Sequence, residues 1–119
     1  MGYYSDVSLT IEESDFNKLL EQVQLSNDDI KWMFNAAKKL VYGQLITLYW
    51  EQIKWYEEFE DVAFFVKFYQ SLDHNKFIRL GEDDDDNCED FKGAYIDSTA
   101  MERRIACDGD EFNCKVNCE

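Results

Sequence analysis

No proline occurs among the 119 residues, glycine occurs five times and histidine once. Collagen-like, proline-rich and glycine-serine linker organisations are therefore excluded by composition, and no hinge segment divides the chain. No apolar run approaches the roughly 18 residues that a membrane-spanning helix needs. The start, Met1-Gly2-Tyr3-Tyr4-Ser5-Asp6, has neither the basic region nor the apolar core of a secretion signal, and Asp6 stands where a myristoylation pattern wants Ser or Thr. These absences predict a soluble protein of the cytoplasm with no membrane partner.

Positive charge is also scarce. Twelve Lys and Arg face 26 Asp and Glu, for a formal net charge of −14. Nucleic-acid affinity rests on Lys and Arg neutralising phosphates, so direct binding to DNA or RNA is excluded by sign. Catalytic signatures are missing as well: the chain has no Gly-x-Ser-x-Gly, Walker loop, His-Glu-x-x-His or Gly-x-Gly-x-x-Gly. The single histidine, His74, follows Asp73 at an expected helix end, where capping explains it without chemistry. The sequence predicts a protein that is not an enzyme.

What is present is apolar material in quantity. Hydrophobic residues make up 45% and aromatics 16%, too much for an acidic disordered tail and enough for one core. Alternation of Val7, Leu9 and Ile11 with Ser8 and Thr10 predicts a strand over 4–11. Phe16, Leu19, Leu20 and Val23 then recur at helical spacing, with Ser14 or a Thr10-x-x-Glu13 box to cap them. Ser26-Asn27-Asp28-Asp29 announces a second helix through Ile30, Met33, Phe34, Ala37, Leu40 and Val41, ended by Gly43. Residues 44–55 read as a strand whose apolar parity switches between Trp50 and Ile53, predicting a bulge or turn near Glu51-Gln52.

Phe59, Val62, Phe65, Val66, Tyr69 and Leu72 form the strongest amphipathic pattern and predict a third helix. Lys76–Leu80 and Met101–Cys107 predict two more strands. The expected fold is α+β: a small mixed or antiparallel sheet of about four strands covered by about three helices, ferredoxin-like with an extra helix. One domain is expected over 1–107, with 108–119 as a loose, Cys-containing tail.

The most unusual segment is Glu82-Asp83-Asp84-Asp85-Asp86-Asn87-Cys88-Glu89-Asp90, seven carboxylates in nine positions. Residues 82–119 hold 13 acids and 4 bases, net −9, against 13 acids and 8 bases over 1–81, net −5. Such a pole suits a Lys/Arg-lined groove on another protein, with salt-sensitive, electrostatically accelerated association. Asp83, Asp85 and Asn87 fall on positions 1, 3 and 5 of a calcium loop, but Cys88 occupies the glycine position and Ala94 the bidentate glutamate position. Cys88, Cys107, Cys114 and Cys118 lie in the final third, and only Cys114-x-x-x-Cys118 approaches a zinc knuckle. Without a secretion signal, free thiols or a metal site are expected ahead of disulfides; the pairing state of the four cysteines stays open, and no metal or cofactor is assigned. Tyr3, Tyr4, Tyr42, Tyr49, Trp50, Trp55, Tyr56 and Phe59 are a large aromatic set, from which Trp55 and Tyr56 are the candidate interface anchors.

Met1-Gly2-Tyr3-Tyr4-Ser5-Asp6-Val7, then Ile53-Lys54-Trp55-Tyr56 ahead of a helix, then Phe77-Ile78-Arg79-Leu80-Gly81-Glu82-Asp83, resemble a family of small phage and prophage proteins. Its members begin Met-Gly-Tyr-x-Ser-Asp-Val and carry a Trp-Tyr segment, a helix and an Arg-Ile-Gly-Glu-Asp strand end; Leu80 stands here where Ile is usual. The resemblance spans residues 1–86, and the four cysteines lie outside it. It implies a phage accessory gene acting in the host cytoplasm. Small acidic phage proteins are often inhibitors of host defence, of anti-CRISPR or antirestriction type, and some mimic DNA. The expected function is thus inhibition of a basic, nucleic-acid-handling host protein, with Glu82, Asp83, Asp84, Asp85, Asp86, Glu89 and Asp90 meeting its basic residues and Trp55 and Tyr56 anchoring the contact. The alternative is a phage structural or assembly factor, or a homodimeric accessory protein, without inhibitory role.

Overall fold

Ser8 and Thr10 alternate with Val7, Leu9 and Ile11 because the segment is a central strand with two differently covered faces. The computed structural model describes residues 4–82, 86–92, 99–101, 105–107 and 109–116. In chain order they form β1 (Ser5–Glu12), α1 (Glu13–Gln24), α2 (Asp28–Ala36), β2 (Lys38–Tyr42), β3 (Leu45–Ile53), α3 (Glu60–Gln70), β4 (Asn75–Leu80), β5 (Asn87–Lys92), β6 (Thr99–Met101), β7 (Ile105–Cys107) and β8 (Asp110–Phe112). A six-stranded sheet runs in the order β5-β4-β1-β3-β2-β8, with every neighbouring pair antiparallel, and β6 pairs with β7 separately. Among the described residues no helix is long and apolar enough to cross a membrane.

Six strands with three helices correct the expected sheet of about four. The predicted second helix stops at Ala36, where Ala37 turns extended with ψ of 138°, and Lys38–Tyr42 becomes β2. Leu40 and Val41 fit either period, and pairing with β3 decides for the strand. Gly43, with φ of +60°, sits in the hairpin turn between Tyr42 and Leu45 instead of ending a helix. The far half of the acidic run is β5, an edge strand whose charges are tolerated because one flank faces water. Beyond Asp108, expected to be loose, β8 pairs with β2; the backbone at Gly109, φ +123°, passes so close that a Cβ would lie 2.5 Å from the Val41 carbonyl oxygen. The single strand predicted over Met101–Cys107 is split between β6 and β7.

The helical face holds the main core. Val7, Leu9, Ile11, Leu48, Trp50 and Phe77 meet Phe16, Leu19, Val23, Met33, Phe34, Val62 and Phe65, all buried. The Trp50 indole N–H donates to the Met33 carbonyl at 2.8 Å, so its one polar atom is satisfied inside. Opposite Ser5 to Val7, the stretch from Trp50 to Ile53 carries one extra residue, and Gln52 takes φ of 51° while its amide donates to Asp6 Oδ1 at 2.8 Å. This is the bulge that the parity switch predicts. Asn27 Oδ1 caps α2 by accepting from the Ile30 amide at 3.0 Å. The cap predicted for α1 is absent: its N-cap is Glu12, the Glu13 amide donates to the Gln44 carbonyl at 2.8 Å, and Thr10 instead shares a buried hydrogen bond with Thr47 at 2.8 Å.

The second face of the sheet is partly polar. Ile78 and Leu80 pack with Ile105 from β7, while Ser8, Thr10 and Thr47 are buried nearby. Ser8 Oγ finds no hydrogen-bond partner among the described residues. An unpaired buried hydroxyl costs about 1–3 kcal/mol. Ser8→Ala is therefore expected to raise stability by about 1 kcal/mol, read as a higher midpoint in denaturant with an unchanged slope.

Candidate functional site

The bulge at Gln52 and the turn after β3 aim Trp55, Tyr56, Glu57 and Glu58 at the end of the sheet where β4 and β5 carry Arg79, Cys88 and Asp90. Between them lies a groove of about 390 Å³. Its floor is aromatic: the Tyr69 and Phe77 rings stack at 4.6 Å and 8°, and Trp55 lies 5.8 Å from Phe77 and 5.3 Å from Trp50. Trp55 is 7% exposed, so it belongs to the core more than to the surface. Tyr56, half-buried, is held against Phe59 edge-on at 5.1 Å, with the Phe59 amide donating to the Tyr56 carbonyl at 2.9 Å.

The rim is acidic. Glu57, Glu58, Asp86 and Asp90 line the groove beside one cation, Arg79. Arg79 is engaged by Asp86 through two hydrogen bonds, at 2.8 Å and 3.3 Å, and also donates to Ser5 Oγ at 3.3 Å. With that pair neutral overall, three carboxylates remain in excess. Glu57 and Glu58 are exposed and make no ion pair among the described residues. A cation 4 Å from one carboxylate gains about 1 kcal/mol in bulk water and about 4 kcal/mol where protein walls lower the effective dielectric to ~20. The concave rim therefore favours a cationic side chain more than a flat acidic surface does.

Asp90 also accepts a hydrogen bond from the Tyr69 hydroxyl at 3.1 Å. Burial, then this bond and the Asp90 charge, hold the Tyr69 phenol well above its usual range. Burial also pushes the Cys88 thiol up, with Asp90 adding to the shift and Arg79 opposing it. Neither group is ionised at neutral pH, so neither adds charge to the groove. Above pH ~10 the unfolded chain releases the Tyr69 proton while the folded protein keeps it, so stability falls as pH rises. Tyr69→Phe is expected to cost about 1 kcal/mol at pH 7 and to remove that alkaline loss, checked by urea melts of both proteins at pH 7 and pH 10.5.

The groove brings together four of the residues singled out from sequence, Trp55, Tyr56, Asp86 and Asp90. The others diverge. Glu82 accepts from the Tyr4 amide at 2.9 Å, beyond the hairpin that the Gly81 amide closes onto the Asp86 carbonyl at 2.8 Å. Glu89 pairs across from Ile78, and strand alternation puts it on the opposite face from Cys88 and Asp90. Asp83, Asp84 and Asp85 lie outside the described residues. Glu57 and Glu58 are the additions that sequence reasoning missed; their adjacency to Trp55-Tyr56 was the available signal.

Of the wider aromatic set, Tyr4, Tyr42 and Phe59 are exposed and Trp50 is buried, while Trp32, not singled out, is 62% exposed. Among the described residues no group of three or more His, Cys, Asp or Glu is placed to hold a metal ion. Cys88 and Cys114 are free thiols among the described residues; Cys118 lies outside them. No protein-family model, curated protein or solved structure matches the chain.

Proposed function

We propose that this is a noncatalytic, phage-derived acidic protein that inhibits a nucleic-acid-handling host defence protein, of the anti-CRISPR or antirestriction kind, by occupying its basic surface. The observation that carries the reading is the convergence of Glu57, Glu58, Asp86 and Asp90 over Tyr56, Tyr69 and Phe77 in one groove. A Lys or Arg entering it meets carboxylates at the rim and aromatic rings at the base, the combination that strengthens a charge-assisted contact by a cation–π term of about 0.5–2 kcal/mol. The net charge of −14 supplies the long-range field that steers a cationic partner inward. The acidic run then acts as steering charge around a specific socket, and the negative sign it shares with nucleic acid keeps the protein off DNA itself.

The test is retention of bacterial lysate proteins on the immobilised protein at about 50 mM and about 500 mM salt, where screening lengths differ severalfold. The expected result is a basic nucleic-acid-binding protein held at low salt, released at high salt, and losing its nucleic-acid affinity when this protein is added. Retention that ignores salt, or a retained protein whose nucleic-acid binding is unaffected, contradicts the proposal.

A further inference from the structure

At the other end of the sheet, a second cavity gathers cations in a protein otherwise dominated by acid. It measures about 460 Å³ and is lined by Asn35, Lys38, Lys39, Phe112, Cys114 and Lys115, among others. Its roof is the segment after β8, tied down because the Asn35 side-chain amide donates to the Val116 carbonyl and accepts from the Val116 amide, both at 2.8 Å. Lys39 points to the helix side of β2, opposite Leu48 on β3 and Phe112 on β8, and is 2% exposed. Its Nζ donates to the Phe34 carbonyl in the last turn of α2 and lies 4.3 Å from the centre of the Phe34 ring. No carboxylate pairs with it among the described residues.

We propose that Lys39 is a carbonyl-capturing amine, and that the cavity takes a small oxo-acid whose carboxylate is held by Lys115. A lysine desolvated by burial, as Lys39 is, and standing beside a second cation is the arrangement that makes an amine nucleophilic near neutral pH. The Nζ lone pair attacks the carbonyl carbon, giving a carbinolamine. Loss of the former carbonyl oxygen as water, with both original amine hydrogens or their equivalents, leaves an imine. Taking up one proton from solvent, that imine gains an N–H, which the Phe34 carbonyl accepts, and its positive charge sits at the helix end whose dipole favours cations.

Burial holds the Lys39 ammonium down at about 8, with Cys114 opposing and Lys115 contributing a smaller lowering. Glu111 and Lys38 are the other charged groups lining the cavity. At pH 7.5 the neutral fraction of Lys39 is then roughly a hundredfold or more above that of an ordinary lysine.

The experiment is incubation of the folded protein with glyoxylate and cyanoborohydride at pH 7.5, followed by peptide mass spectrometry of every lysine. Modification at Lys39 is expected to exceed that at each of the eight other lysines at least tenfold, and to drop at least tenfold at pH 6. Lys115→Gln is expected to slow capture of glyoxylate severalfold more than it slows capture of acetaldehyde, because only the first loses a carboxylate partner. Lys39 modified no faster than exposed Lys38 and Lys115 overturns the site. Equal capture of the two aldehydes, indifferent to Lys115→Gln, overturns the oxo-acid assignment.

Discussion

Glu57→Gln, Glu58→Gln and Asp90→Asn together are expected to slow association with the basic partner about ten- to a hundredfold at low salt, and to change the melting temperature little. Steering by a charged cleft accelerates encounter by about 10 to 10³, and these three residues carry the groove's uncompensated charge. The fold does not need them as carboxylates. Glu57 and Glu58 are exposed, and an Asn at position 90 still accepts the Tyr69 hydroxyl that Asp90 now accepts at 3.1 Å. Asp86 is left alone because it holds Arg79; removing it frees a guanidinium inside the groove and confuses two effects. Stopped-flow association rates at several salt concentrations read the difference, which narrows as screening increases.

Trp55→Ala is expected to cost about 3–5 kcal/mol, against a total stability of about 5–15 kcal/mol for a domain. From sequence, Trp55 reads as an anchor for a partner. In the fold its ring is 7% exposed between Trp50 and Phe77, so truncation opens a cavity under the groove and removes its floor. Denaturant melts of the variant are expected to show the loss. A variant as stable as the parent but weak in binding places Trp55 in the interface instead. Tyr56, half-buried at the lining, is the aromatic whose loss affects binding without unfolding the protein.

Periodicity made β1, α1 and α3 legible, since each buries a full stripe of apolar side chains on one side, while β4 was legible as a short apolar run buried on both faces. The bulge near Gln52 was legible for the same reason: side-chain parity on a strand has a period of two, and one extra residue inverts it. The strands that escaped are those defined by pairing instead of composition. β2 shares Leu40 and Val41 with a helical pattern, β8 is three residues long, and β5 is written in carboxylates that discourage a strand reading.

The site was half legible for a related reason. Charge density along the chain marks the acidic run, but pleating sends Glu89 and Asp90 to opposite faces, and the tertiary fold brings Glu57 and Glu58 to Asp86 from about thirty residues away in sequence. Lys39 gives no sign in sequence at all. Its neighbour Lys38 is exposed while Lys39 is buried, a distinction made by β2 pairing on both sides.

The most direct measurement is amide hydrogen exchange of the protein with and without the basic protein it retains at low salt. Slowed exchange at 56–58 and 86–90, reversed by moderate salt, is the predicted result. Unchanged exchange across those residues, with protection at the exposed Trp32 face of α2 or elsewhere, contradicts the account.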